Sequence, residues 1–234
     1  MLRRHCSARL RPALVLLSAL SIASGCGPKR LAVLGPLDRP DSVAESLVAR
    51  SRLTDPTRID FRWRLNESGS RVRGVGVARV EPPYKARLDL FLDNGETVIA
   101  AALVEDELRL PPGAPEDLLP PVDLMWGTLG VFRPIEGTRL IAGERLEAGA
   151  RRLRYAHVDG RELDFELAGD ALRSIEVVMG GSALEWVRLE PSEDGRYPYS
   201  ATYRNLVDFR ELEIERTSVR TVAPFDAEIW DPRE

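Results

Sequence analysis

Residues 58–65 read RIDFRWRL, with Ile59, Phe61, Trp63 and Leu65 alternating strictly with Arg58, Asp60, Arg62 and Arg64. Successive side chains of a strand point to opposite faces, so this period of two predicts a strand with one face buried and the other in water. The neighbouring segments extend the pattern. In RVRGVGVARV, 71–80, one parity carries Gly74, Gly76 and Ala78 between Val72 and Val80. Glycine weakens a strand interior unless another chain approaches closely or the sheet must bend, so this segment predicts a curved sheet with room on its inner side. In YKARLDLFL, 84–92, Tyr84, Ala86, Leu88, Leu90 and Leu92 share a face, and Asp93-Asn94-Gly95 then supplies the turn chemistry of a tight hairpin. The return segment ETVIAAALVED, 96–106, is apolar on both parities and predicts a strand buried on both sides.

Helical periods flank this block. DSVAESLVARSR, 41–52, places Ser42 and Glu45 at capping-box spacing and Val43, Leu47 and Val48 on one side, which predicts a short amphipathic helix. Prolines at 111, 112, 115, 120 and 121 break the strands. From Pro121 a second helix is expected, with Val122, Met125, Trp126 and Leu129 at i, i+3, i+4 and i+7, ending near Arg133-Pro134. Beyond it, RRLRYAHV, RELDFEL, ALRSIEVVM, ALEWVRLE, YPYSATYR and FRELEIER are strand-sized pieces. Asp159-Gly160, Gly169-Asp170, Gly180-Gly181 and Asp194-Gly195 provide turns between them. Hairpin-linked strands at this interval predict an antiparallel meander in place of βαβ units.

The first residues hold Arg3, Arg4, Arg9 and Arg11 without an acid, and Ala13–Ala23 run eleven residues without a charge. That run is too short for a membrane-crossing helix, so residues 1–25 are expected to be a signal peptide. Ala23-Ser24-Gly25-Cys26 follows and resembles the bacterial lipobox, with alanine where leucine is commoner. The resemblance implies that Cys26 is lipidated and becomes the new N-terminus. A disulfide with Cys6 would need a residue that lies in the removed part, and a catalytic thiol would need a base and a pocket. Two or three acyl chains on one residue make a lasting anchor. Gly27, where an aspartate would mark inner-membrane retention, implies the outer membrane, facing the periplasm. Residues 26–40 are expected as a flexible leader and 41–234 as a single β domain. Loss of residues 1–25 takes away four arginines and no acid, so 33 basic residues against 37 acidic become 29 against 37. A chain this acidic is not built for nucleic acid, which needs clustered Lys and Arg.

Taken in order, the lipobox, the helix, the glycine-bearing strand, the paired strands of 84–106, the helical insertion before Arg133-Pro134 and the run of hairpins resemble the lipoprotein-carrier superfamily typified by LolA and LolB. The likeness covers roughly residues 41–230. It implies a mainly β (α+β) fold: a strongly curved antiparallel sheet, an unclosed half-barrel, with a few helices over its concave side and a hydrophobic cavity for acyl chains. The cavity lining it implies is Phe61, Trp63, Leu65, Gly74, Gly76, Ala78, Leu88, Leu90, Trp126 and Trp186. LolB-like proteins also expose an apolar residue on a protruding loop; Leu92–Glu96, the corresponding loop here, has a polar tip, so that role would fall to Phe91, on the parity of Asp89, if it projects outward. The partners implied are the membrane through the lipid anchor, lipid or lipoprotein cargo, or other envelope proteins docking on the sheet.

No chemistry of catalysis is legible. There is no nucleophile elbow and no phosphate loop, and His157 is the one histidine after the signal peptide, without metal-ligand partners at any normal spacing. No enzyme activity, cofactor or metal is therefore expected. Glu105-Asp106-Glu107 and Glu193-Asp194 read as solvated turns, and the outward stripe of Arg58, Arg62 and Arg64 predicts cross-strand pairs with acidic residues.

Overall fold

The structure, a computed structural model, describes residues 30–193 and 195–232, so Cys26, the signal peptide and Asp194 lie outside the described residues. The strands are β1 (Val33–Pro36), β2 (Thr57–Glu67), β3 (Ser70–Glu81), β4 (Lys85–Leu92), β5 (Thr97–Val104), β6 (Glu107–Arg109) and β7 (Thr138–Leu146). They continue with β8 (Ala150–His157), β9 (Glu162–Ala168), β10 (Ala171–Met179), β11 (Ser182–Glu190), β12 (Ser200–Asn205) and β13 (Arg210–Thr221). All lie in one antiparallel sheet in the order β1-β7-β8-β9-β10-β11-β12-β13-β2-β3-β4-β5-β6. The two edges, β1 and β6, do not pair, so the sheet is an unclosed half-barrel as expected. The crossover sits between β13 and β2, where Leu212 faces Leu65 and Ile214 faces Trp63.

Two helices accompany the sheet, α1 (Pro40–Ser51) and α2 (Val122–Thr128). In α1, Leu47 of the expected face is buried together with Ala44, three residues before it, while Val43 and Val48 of that face are half-buried. Its expected capping box is absent: Arg39, at a left-handed φ of 50°, is the N-cap without a side-chain cap bond, and Pro40 occupies the first turn. Proline there is pre-set for the helix and lacks the N–H that would need a cap. The apolar face of every central strand meets in one core, in which Phe165, Leu153, Leu163 and Leu167 are completely enclosed. Phe132 and Tyr155 join Phe165 there edge-on, at ring centroid distances of 4.9 and 5.6 Å.

Three elements do not show in the sequence pattern. Val33–Pro36, inside the stretch expected to be a flexible leader, pair with β7, and the Leu37 N–H donates to the Gly143 carbonyl at 2.8 Å. β7 itself is concealed because a register shift between Leu140 and Ala142 breaks its alternation. β6 is a three-residue strand just before the prolines. The 3-10 turn Ala227–Trp230 lies against β4 and β5, and the carbonyls of Ile229 and Trp230 accept from Arg87 of β4 and Arg109 of β6 at 2.8 and 3.2 Å. Among the described residues no helix is long and apolar enough to cross a membrane.

Candidate functional site: the concave face and its covering helices

Of the ten residues expected to line a cavity, nine come together on the concave side. Phe61, Trp63 and Leu65 stand on β2, with Gly76, Gly74 and Ala78 beside them on β3, and Leu88 and Leu90 follow on β4. Trp126 descends from α2. The region is packed, however, and not hollow: Phe61, Trp63, Leu90 and Trp126 are each at most 3% exposed. The glycines hold no free volume. A Cβ on Gly76 would lie 2.3 Å from the Phe61 ring, so that ring fills the space the missing side chain leaves. A Cβ on Gly74 would lie 1.9 Å from the Phe91 carbonyl oxygen, because β4 approaches β3 closely there. The Trp63 indole N–H uses that approach, donating to the carbonyls of Val75 and Phe91 at 3.0 and 3.2 Å. What remains is a slot of about 40 Å³ between Phe61, Ala78, Leu88 and Leu129.

Trp186 is the exception. It pairs across the sheet with Arg204 and Glu176, on the parity opposite to the buried Val187 and Leu189, and so stands on the outer face. ALEWVRLE is apolar at both Trp186 and Val187, so the alternation alone could not choose between the parities.

The roomier hollow of the helix-covered side lies elsewhere. Ala44, Val48 and Ala49 of α1 face Leu140, Tyr155 and Pro134 across an open groove of about 540 Å³, with Asp41, Glu45 and Arg52 at its margin. Burial pushes the Tyr155 hydroxyl up to about 12, and the charge of Asp41 adds to the shift, so the tyrosine stays neutral. Val48 and Tyr155 stand on a predicted helix face and a predicted strand, whereas Leu140 belongs to the concealed β7 and Ala49 to the side of α1 that reads as solvated, so the sequence does not bring the four together.

The α2 segment is clamped at both ends. On its N-terminal side Asp117 pairs with the buried Arg210, which also holds Glu67. Asp123 lies 2.9 Å from Arg161 without hydrogen-bond alignment, and Arg161 also holds Asp159 at 2.7 Å. On the C-terminal side Arg133 reaches Glu105 at 2.9 Å and Asp106 at 3.0 Å and lies over the Tyr84 ring. Glu105 and Asp106 are thus clamp partners in addition to turn residues. His157 ends β8 with its Nδ1 2.8 Å from Asp159. Among the described residues no group of His, Cys, Asp and Glu could hold a metal ion.

Glu185 lies beside this clamp and accepts from the Tyr203 hydroxyl at 3.3 Å. Burial raises its carboxyl above the usual range, and the nearby Asp123 and Asp208 charges act in the same direction, against the Tyr203 bond and Arg161. A carboxyl raised in the folded state binds its proton more tightly there than in the unfolded chain. Stability therefore falls as pH rises through the interval between the ordinary and the raised value. Glu185→Gln is expected to raise the melting temperature at pH 7.5 and to flatten the pH dependence between pH 4 and 7. An equal melting temperature shift at pH 4 and pH 7.5 would contradict this.

The hairpin tips on one rim carry exposed apolar side chains. Val158, Met179, Val207 and Phe209 are 86, 50, 62 and 80% exposed, at the β8–β9, β10–β11 and β12–β13 turns. The Asn205 carboxamide oxygen accepts from the N–H groups of Val207 and Asp208 at 2.9 Å each, and Phe209 adopts a φ of 55°. The Leu92–Glu96 turn lies two hairpins away from the β12–β13 tip across the sheet.

No protein-family model and no curated protein matches the sequence. Solved structures do match. A LolA superfamily protein from Nitrosomonas europaea aligns with a TM-score of 0.55 at 10% identity, covering 81% of this chain and 96% of its own. A DUF1329 family protein from Desulfovibrio piger gives 0.56 at 8% identity, covering 84% and 97%. A domain from Vibrio parahaemolyticus assigned to outer-membrane lipoprotein sorting gives 0.50 at 12% identity, covering 80% and 94%. At these identities the likeness is one of fold, and the fold of this chain is LolA/LolB-like.

Proposed function

We propose that the chain is a lipid-anchored protein of the bacterial outer membrane that binds an acyl chain of a lipid or lipoprotein on the concave side of its half-barrel, without catalysing a reaction. The observation that carries this reading is the groove beside α1, whose apolar floor and volume of about 540 Å³ lie within the 300–1,000 Å³ typical of ligand sites. The slot of about 40 Å³ near Phe61 is an order of magnitude too small. The LolA/LolB-like fold supports the same class, and lipoprotein sorting is the role assigned to the Vibrio domain that shares it. Residues 1–25 act as signal peptide and Cys26 carries the acyl chains.

A fluorescent fatty acid is expected to bind the protein saturably. Ala49→Trp, at an exposed groove position, should weaken binding about tenfold or more by filling the groove, while Ala78→Phe in the small slot should not. Absence of saturable binding in folded wild-type protein would end the carrier reading. It would leave a docking protein, the second reading, which the exposed apolar tips at Val158, Met179 and Phe209 favour. Cys26→Ser is expected to leave an uncleaved precursor, and a cleaved, membrane-bound Ser variant would refute the anchor.

A further inference from the structure

The outer face of the sheet, opposite the helices, is also hollowed. Depressions of about 580 and 410 Å³ both border on Glu190 and Thr202 and form one trough across β10, β11, β12, β13, β2 and β3. Its floor is lowered by short hydroxyl residues, Ser174, Ser200 and Thr202, standing among long charged neighbours. Five arginines and five acidic residues line it, so it carries no net charge. That balance is wrong for a phosphate chain, which needs an excess of cations, and wrong for a polycation. Some of the charges satisfy one another, as Arg64 does with Glu213 at 3.0 Å. Arg62, Arg173 and Glu190 make no ion pair or side-chain hydrogen bond among the described residues, and so present donors and acceptors to a ligand.

Two aromatic rings complete the lining. Trp186 lies under the Arg188 guanidinium, 4.2 Å from the ring centroid, and Tyr199 is 43% exposed with its hydroxyl fixed on Glu215 at 2.7 Å. We propose that this trough binds a neutral glycan strand. Each sugar hydroxyl is both donor and acceptor, which suits a surface of interleaved guanidiniums and carboxylates, and the C–H faces of sugar rings suit Trp186 and Tyr199. Six strands at a spacing of about 4.8 Å give a trough of about 24 Å, long enough for several linked sugars. A peptide recognised as an added strand has no place here, because every strand beneath the trough is already paired on both sides.

Trp186 makes the test direct. The other three tryptophans, Trp63, Trp126 and Trp230, are at most 4% exposed, so quenching of tryptophan fluorescence by acrylamide reports on Trp186. Chitohexaose and cellohexaose are titrated into the full chain in a detergent without a sugar head group. At least one is expected to protect the fluorescence saturably, with Arg62→Ala and Glu190→Ala each weakening that protection about tenfold. Both positions are at the surface, so the variants fold, which an unchanged circular dichroism spectrum checks. The proposal is overturned if neither oligosaccharide protects Trp186, if protection is indifferent to both substitutions, or if only a mixed-charge peptide protects it. Fatty-acid binding in the groove beside α1 is read separately, so failure here leaves the carrier reading standing.

Discussion

Trp126→Ala is expected to lower the free energy of unfolding by about 3–5 kcal/mol, among the largest effects of any single truncation in this chain. Three contacts fail together. The ring is 1% exposed, so its removal leaves a cavity that the short α2 cannot collapse, since that segment is held by Asp117, Asp123 and Arg133 from both sides. The indole N–H donates to the Glu105 carbonyl at 2.8 Å, and that hydrogen bond is lost with the ring. The edge-on contact with Tyr84, at 5.7 Å, is lost as well. Urea denaturation measures the change. A loss under about 1 kcal/mol would mean that α2 is not part of the folded core. Trp126→Phe keeps most of the packing without the N–H, and so separates the hydrogen bond from the cavity.

Alternation of apolar with polar residues makes β2, β3 and β4 legible, β5 shows as an unbroken apolar run, and the turn residues between them fix where each ends. The same logic fails for β7. Ile141 is 40% exposed while Leu146 is buried, and the register shift at Leu140 moves the strand from one parity to the other partway along. It fails for Trp186 too, where neighbouring positions are both apolar and a single slip of one residue exchanges faces. The concave set is legible as a set, since Phe61, Trp63, Leu90 and Trp126 do meet. Whether it encloses space depends on where the Phe61 ring goes, and a rotamer is not written in a binary pattern. The groove beside α1 depends on how a helix lies across distant strands, which no local period records. The reading of Cys26, by contrast, rests on local chemistry alone and is untouched by the fold.

Gly76→Ala and Gly74→Ala are expected to be destabilising for different reasons, and a second substitution tells them apart. At Gly76 the obstacle is a side chain, since the added methyl meets the Phe61 ring at 2.3 Å and the nearest backbone atom, the Asp89 carbonyl oxygen, only at 3.0 Å. Overpacking of this kind costs about 1–3 kcal/mol. At Gly74 the obstacle is the backbone of β4 itself. The methyl would lie 1.9 Å from the Phe91 oxygen and can be admitted only by pushing β4 away, which also detaches the Trp63 indole from that oxygen. The cost there is expected to be about 3 kcal/mol or more. Phe61→Leu shortens the ring that fills the Gly76 notch. Combined with Gly76→Ala it should recover part of the loss, with a coupling of about 1–2 kcal/mol between the two positions. Combined with Gly74→Ala it should give a plain sum, because no side-chain change can relieve a clash with a carbonyl. Additivity at Gly76, or rescue at Gly74, would show that the curvature of the sheet is set by something other than these two close approaches.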